Sequence, residues 1–215
     1  MGRIELHAHT VLSDGAFIPT ELARRAEVLG HEAIAITDHC GANVVEVVKK
    51  VKAECELVNR FWKIIAIPGV ELTHVPPESI PELAAMAKKA GAKVVIVHGE
   101  TLAEPVPENT NEIAAVCEDV DIIAHPGLIT YRTAKHAQEH GILLEISSRK
   151  GHCLTNGHVV KVGKRAGAEF VVNSDAHDFD DLLSLVKAYR VALGAGLTGE
   201  EAYIALEQNP RRFLK

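Results

Sequence analysis

Apolar residues return along this chain in two alternating rhythms. Short, nearly continuous runs rich in β-branched residues give way to stretches whose apolar positions recur at helical spacing. The first rhythm reads as strand and the second as amphipathic helix. "RIELHAH" is strand-like, and "PTELARRAEVLG" is a helix with Pro19 near its start and Gly30 at its stop. "EAIAITDH" is again strand, "NVVEVVKKVKAECELVNRF" helix, and "KIIAIPGVEL" a strand interrupted at Pro68-Gly69. The alternation continues with helix "PELAAMAKKAG" and strand "AKVVIVHG", then helix "NEIAAVCED" and strand "DIIAHPG". It runs on through "TAKHAQEHG", "ILLEISS", "GHVVKVGKRAG" and "AEFVVNSDAH". A helix "DDLLSLVKAYRVALG" and a shorter one, "TGEEAYIALEQN", precede the tail "PRRFLK".

The pattern amounts to about seven strand–helix units. Strands this apolar suit a parallel sheet covered on both faces, and parallel neighbours need the crossover helices that follow nearly every strand. The expected class is α/β, as either a closed β/α barrel or an open doubly wound sheet. No linker, repeat or charge block divides the chain, so a single domain over residues 1–215 is expected. No apolar run approaches the ~18 residues that cross a bilayer, so no membrane partner is expected. The opening "MGRIEL" lacks a signal-peptide layout, which makes a cytoplasmic protein the expectation. Cys40, Cys55, Cys117 and Cys153 show no CxxC spacing and are expected to be reduced thiols. A net charge of −6 disfavours a groove for long nucleic acid but leaves room for a small phosphorylated substrate.

The polar residues that break the apolar runs fall at equivalent places. His7 and His9 end the first strand, Asp38 and His39 the second, and Glu71 the third. His98 ends the fourth, His125 the fifth, and Asp175 and His177 the seventh. Parallel strands point these ends at one rim, where β/α folds build their sites. The "HxH" spacing puts His7 and His9 on one side of their strand, so both can grip one ion. A single histidine at a strand end is an ordinary polar residue. Many gathered in one pocket would lose several kcal/mol of hydration unless something replaced it, and metal coordination does so. Five or six histidines with Asp14, Glu71 and Asp175 exceed the four donors that close one tetrahedral zinc shell. The count suggests two or three divalent ions, with Glu71 as a bridge. Nitrogen and oxygen donors without thiolate suit Zn, Mn or Fe. His136 and His140 lie on a helix without the HExxH glutamate, and His31 opens its strand at the opposite end. These three are expected to be structural. His74, three residues past Glu71, is a lesser candidate for the mouth of the site, and His158 is expected in the first turn of its helix.

The ordered set "HAHTVLSDG", "ITDH", "GVE", "VHG", "HPG" and "NSDAH", spanning residues 7 to 177, resembles the motifs of the PHP (polymerase and histidinol phosphatase) superfamily. The resemblance implies a distorted TIM-like (β/α)7 barrel and a trinuclear metal site. By position, it implies His7, His9, Glu71 and Asp175 on a first ion, and Glu71, His98 and His125 on a second. Asp14, His39 and His177 would hold a third. Asp38 would orient an imidazole or accept a proton. Some histidinol-phosphatase-like members carry a histidine near the place of Asp14; with "SDG" here, histidinol phosphate is not the expected substrate.

The expected activity is hydrolysis of a small phosphomonoester or nucleotide-type phosphoester by a multinuclear metal-activated hydroxide attacking in line. His39 or His177 could serve as the acid only where not engaged with metal. Arg149, Lys150 and His152 in "SSRKGHC", with Arg132 after "HPGLITY", are the candidate substrate-binding residues. A nuclease acting on short oligonucleotides or nucleic-acid ends would use the same ions. A non-catalytic RNA-binding barrel subunit is a third reading, although such a protein should be basic. An amidohydrolase is disfavoured by the motif order and by the lack of a metal-bridging lysine.

Overall fold

In the computed structural model, which describes residues 2–214, each apolar run becomes a parallel strand and each amphipathic stretch packs outside it. The chain runs β1 (Arg3–Glu5), α1 (Pro19–Val28), β2 (His31–Ile36), β3 (His39–Cys40), α2 (Val44–Phe61) and β4 (Ile65–Leu72). It continues with α3 (Ile80–Ala90), β5 (Val94–His98), α4 (Thr110–Ala114), β6 (Ile122–Ala124) and α5 (Tyr131–Glu139). Then follow β7 (Leu143–Ser147), α6 (Asn156–Ala166), β8 (Phe170–Asn173), α7 (Leu185–Ala195) and α8 (Gly199–Tyr203). Pro19 opens α1, where its missing N–H costs no helical bond. In α2 the buried face is Val44, Val47, Val48, Val51, Cys55 and Val58, the three-and-four spacing that predicted it.

The strands pair in the order β1-β2-β4-β5-β6-β7-β8, all in parallel, with β3 joining β4 beyond the end of β2. The result is a nearly closed barrel of seven strands. Closure between β1 and β8 rests on one bridge, Ala8 to Ala176, where the His9 N–H donates to the Ala176 carbonyl at 2.8 Å. Side chains knit the rest of that seam. Arg3 donates to Glu5 (2.7 Å) and to the Val172 carbonyl (3.1 Å), and Glu5 accepts from the Ser174 hydroxyl (2.7 Å). Burial alone would raise the Glu5 pKa, but Arg3 and the Ser174 hydroxyl hold it below the usual carboxylate range.

Two apolar layers result. One lies between strands and helices. The other is built from strand residues such as Ile4, Ala33, Ile67, Ile96, Ile122, Leu143 and Val171, and fills the barrel. Phe213 and Leu214 pack against this inner layer. The "PRRFLK" stretch is thus a 3₁₀ turn, Pro210–Leu214, that covers the end of the barrel where the strands begin. Arg211 anchors it there with a two-pronged bond to Glu32 (2.9 and 2.8 Å).

Three local expectations are corrected. Pro68-Gly69 does not interrupt β4, which runs unbroken through it. The Pro68 carbonyl accepts from the Lys93 N–H at 2.7 Å, so the ring nitrogen faces the β5 side, where pairing begins only at Gly69 and Val94 and no donor is needed. The "NEIAAVCED" helix is only Thr110–Ala114. The final helix passes from α8 into a π-helical turn, Ile204–Gln208. Among the described residues no helix is long and apolar enough to cross a membrane.

His31 lies at the strand-start end of the barrel, buried, with Nδ1 donating to the Ala26 carbonyl at 3.0 Å. Burial, reinforced by Arg3, lowers its pKa from 6.5 to about 4. The unfolded chain therefore takes up this proton before the folded one. The associated stability is complete above pH 6.5 and is lost as pH falls from there through about 4. It amounts to roughly 3 kcal/mol. Urea unfolding of wild type and His31→Gln at neutral pH and near pH 4.5 should show wild type losing roughly 2–3 kcal/mol more than the variant; equal losses would contradict this account.

Candidate metal centre

The strand ends place their polar residues in one bowl. Ala8, between His7 and His9, joins the outer apolar core, so the two imidazoles share the opposite side. The bridge from Ala8 to Ala176 then sets this pair directly beside Asp175 and His177. His125 and Asp175 leave their strands with φ of 28° and 53°. Left-handed backbone is costly for such residues and is retained where the surroundings demand it. Here it turns both side chains inward.

Asp14 reaches the bowl from the loop after β1. Asp38, fully buried, accepts from the Thr10 N–H (2.7 Å), the Thr10 hydroxyl (2.7 Å) and the Ser13 hydroxyl (2.6 Å). Gly15 packs so tightly that a Cβ there would lie 2.3 Å from the His9 carbonyl oxygen. Asp38 is thus a loop anchor. It was expected to orient an imidazole or take a proton, but its partners are this loop.

Glu71 is the hub. Its Oε1 lies 3.3 Å from His7 Nε2 and 3.8 Å from His125 Nε2, and its Oε2 lies 3.7 Å from His9 Nε2 and 2.7 Å from His39 Nδ1. Asp175 Oδ1 lies 3.6 Å from His7 Nε2 and 3.3 Å from His9 Nε2. Four of these atoms, His7 Nε2, His9 Nε2, Glu71 Oε1 and Asp175 Oδ1, are buried with no hydrogen-bond partner among the described residues. Separations of 3.3–3.7 Å are long for hydrogen bonds. They suit donors about 2 Å from a shared ion, which stand roughly 3.3 Å apart in a tetrahedral shell. The donor set therefore fits a divalent cation.

Two more groupings flank this one. Asp14 Oδ1 lies 3.4 Å from His39 Nε2 and 3.2 Å from His177 Nε2, and His9, Asp14, His39 and His177 can converge on one ion. On the other flank His98, His125 and His152 converge likewise. All nine expected ligand positions thus fall within this bowl or on its wall.

Charge and tautomer favour metal binding. His7 Nδ1 donates to Glu145 (2.7 Å), which turns Nε2 toward Glu71 and Asp175, where a bound cation would take the place of the Nε2 proton. Burial opposes charge on His7, but Glu145, Asp175 and Glu71 together raise its pKa well above the ordinary value. Burial and the neighbouring imidazoles His39 and His7 push His9 well below it, and burial with His98 does the same to His125. Burial, with Glu71 and Glu145 nearby, drives Asp175 well above the usual carboxylate range. This concentration of acids is what a cation would neutralise.

The substrate candidates separate. Arg149 lines the bowl, a cavity of about 260 Å³, and its Nη1 donates to the Asp175 carbonyl at 3.3 Å. Lys150 opens instead into an adjoining depression shared with Arg149, Lys187 and Arg190. Arg132 is corrected. It stands on the exposed start of α5, paired with Glu112 at 3.0 Å, and does not line the bowl. His152 is buried and stacked on His125, with ring centroids 4.0 Å apart. His74 does line the mouth. His158, in the first turn of α6, donates to the Ile129 carbonyl (2.9 Å).

Two residues escaped the sequence reading. Glu145 lies in the middle of β7, the one strand to which no ligand is assigned, and a lone acid inside "ILLEISS" is the signal for it. Glu104 sits in a loop without pattern, yet its carboxylate reaches His74 (2.9 Å) and His98 (3.1 Å).

Comparison with known proteins agrees with this architecture. The chain is 49% identical over 215 residues to an uncharacterized protein of Methanocaldococcus jannaschii, covering 99% of both. It is 26% identical to ribonuclease P protein component 3 of Methanosarcina mazei, covering all of this chain and 91% of the relative. It is 24% identical to a probable phosphatase of Aliivibrio fischeri, over 85% of this chain and 81% of that one. Among solved structures, a chain of archaeal ribonuclease P with mature tRNA superposes with a TM-score of 0.68 at 15% identity, covering 98% of this chain and 88% of that chain; the likeness is one of fold. The model of the PHP domain matches residues 5–211, and with that span and this bowl the chain belongs to the PHP domain family.

Proposed function

We propose that this protein is a metal-dependent phosphoesterase that hydrolyses a small phosphomonoester or nucleotide-type phosphoester. The observation that carries the reading is the ring of buried donor atoms around Glu71 that have no hydrogen bond and stand at ligand-to-ligand separations. His7, His9, Glu71 and Asp175 would hold one ion, Glu71, His98 and His125 a second, and Asp14, His39 and His177 a third, with Zn, Mn or Fe as the metals that suit these donors. Bound divalent ions supply Lewis acidity to phosphoryl oxygens and acidify water at neutral pH.

The chain's own residues do the rest. Glu71 joins the groupings, since its two oxygens face different imidazoles. Arg149, held by the Asp175 carbonyl, keeps guanidinium donors at the cavity wall for two phosphate oxygens. His177 donates Nδ1–H to the Asp175 carbonyl (3.0 Å), so its Nε2 presents a lone pair toward Asp14. In that tautomer His177 is a ligand and not a proton donor. A cavity of about 260 Å³ suits a small substrate better than a strand of nucleic acid. The phosphatase relative supports the same chemistry.

A second reading, a nuclease acting on short nucleic-acid ends, has one observation in its favour. Lys150, Lys187 and Arg190 line the depression next to Arg149, together with Asp180 and Asp181, and these three cations make no ion pair within 4 Å among the described residues. The relative in ribonuclease P raises a non-catalytic RNA-binding role. A net charge of −6 and a full set of ligand candidates weigh against it.

Four measurements test the proposal. Purified protein should carry divalent metal, and after chelation p-nitrophenyl phosphate hydrolysis should return on adding Mn²⁺ or Zn²⁺; absence of both metal and hydrolysis would overturn it. Cleavage of short oligonucleotides in preference to the monoester would favour the nuclease. His98→Ala should cut turnover by about 10²-fold or more with an unchanged circular dichroism spectrum, whereas unchanged turnover would remove His98 from the mechanism. Glu145→Gln keeps the shape but weakens the hold on His7, and should lower metal affinity by about 10- to 100-fold in a chelator competition.

A further inference from the structure

We propose that His152 is a metal ligand, the third imidazole of the position held by His98 and His125, and that Glu104 is the loop carboxylate that completes that shell. The inference rests on the metal-centre reading above, but not on the phosphoester substrate.

The first observation is convergence. One nitrogen each of His98, His125 and His152 lies within 4.8 Å of the others, and all three rings are buried. The second is orientation. Thr101, itself buried, stands 2.7 Å from His152 Nδ1. That contact fixes the ring and turns Nε2 inward, the arrangement in which a ligating histidine is held by its far nitrogen. His152 Nε2 is then 3.5 Å from Glu104 Oε1 and 4.0 Å from Asp175 Oδ2. Both separations are too long for good hydrogen bonds, and the shorter is near that of two donors on one ion.

The third observation concerns Glu104. Its Oε2 lies 3.1 Å from His98 Nε2 and its Oε1 faces His152, so one carboxylate spans two of the three imidazoles. His74 Nε2, 2.9 Å from Oε2, steadies it from outside. The loop that carries Glu104 is pinned at its base. A Cβ on Gly127, whose φ is +59°, would lie 1.7 Å from the Glu100 carbonyl oxygen, so only glycine permits this approach. Asn111 Oδ1 accepts from the Glu100 N–H at 3.1 Å and holds the loop from the other side.

Three imidazoles with Glu104 and the shared Glu71 still form a set in which nitrogen predominates. Such a position selects Zn²⁺ or Fe²⁺ over Mg²⁺ or Mn²⁺. The Asp14, His39 and His177 position is more open, because the Asp14 side chain is 58% exposed. The two flanks of the bowl therefore differ in the metal they keep and in how readily they release it.

Metal-stripped full-length protein, titrated with Co²⁺ and with Zn²⁺, tests this without any substrate. Stoichiometry after desalting, chelator competition and the Co²⁺ visible spectrum are the readouts. His152→Gln should lose one ion per chain from the tightly held set, or bind it at least tenfold more weakly, with a changed Co²⁺ band. Glu104→Gln and Thr101→Val, outside the barrel core, should each weaken the same ion by about 10- to 100-fold. If His152→Gln does not fold, these two variants decide the matter. Variants that match wild type in stoichiometry, affinity and spectrum would overturn this inference alone. Wild type that takes up no ion would overturn it together with the metal-centre reading.

Discussion

Everything at the open end of this barrel depends on how buried charge is held there. Glu71, Glu145 and Asp175 are carboxylates almost wholly out of water, and they stand beside His7 and His9, whose Nε2 atoms have no hydrogen-bond partner among the described residues. Removing ionised groups from water costs several kcal/mol each unless hydrogen bonds, opposite charge or a metal compensates. Glu145 is compensated within the chain, since it accepts from His7, from the His125 N–H and from Asn173. Glu71 Oε1 and Asp175 Oδ1 are not. The distinction separates the two kinds of acid in the bowl: one shapes the ligands, and the other is left with lone pairs to offer a cation.

The fold serves this arrangement through its weakest joint. A seven-stranded barrel needs its first and last strands to meet, and here, among the described residues, the segments that follow them share one backbone bridge at Ala8 and Ala176. That bridge lies between "HAH" and "DAH", so the closing of the barrel and the assembly of the bowl are one event. Below it, Arg3, Glu5 and Ser174 supply bonds that a regular ladder would have made. A cation bound by His7, His9 and Asp175 would tie the same two strands from above. Binding energy there would then also be folding energy, because the unfolded chain has no such site.

Much of this was legible in the sequence because it rests on periodicity and on strand ends. The alternation of rhythms gave the α/β class, and His7, His9, Glu71, His98, His125 and Asp175 could be placed at a common rim from topology alone. What escaped detection has physical causes. Pro68-Gly69 looked like a break because a proline within a strand normally removes a needed donor, but Pro68 faces the β5 side just before that pairing begins. Arg132 was placed at the rim by its position after a strand, whereas its side chain is turned to Glu112 by the first turn of α5. Asp38 sits beside His39 in sequence yet serves another loop. Glu104 and the Thr101 contact could not be read at all, since an irregular loop carries no period that would say which residues face inward.

The histidines show why residue type alone does not settle a role. His31, His152 and His158 are each held by one ring nitrogen, to the Ala26 carbonyl, the Thr101 hydroxyl and the Ile129 carbonyl. What separates them is where the other edge of the ring points. His31 lies at the strand-start end beside Arg3, a neighbour that repels any cation. His158 spends Nε2 on its carbonyl, at the outer side of α6. Only His152 turns its remaining nitrogen toward carboxylates and other imidazoles. A motif such as "RKGHCLTNGH" thus carries two histidines of opposite use six residues apart, and it is the direction of the free lone pair that distinguishes them.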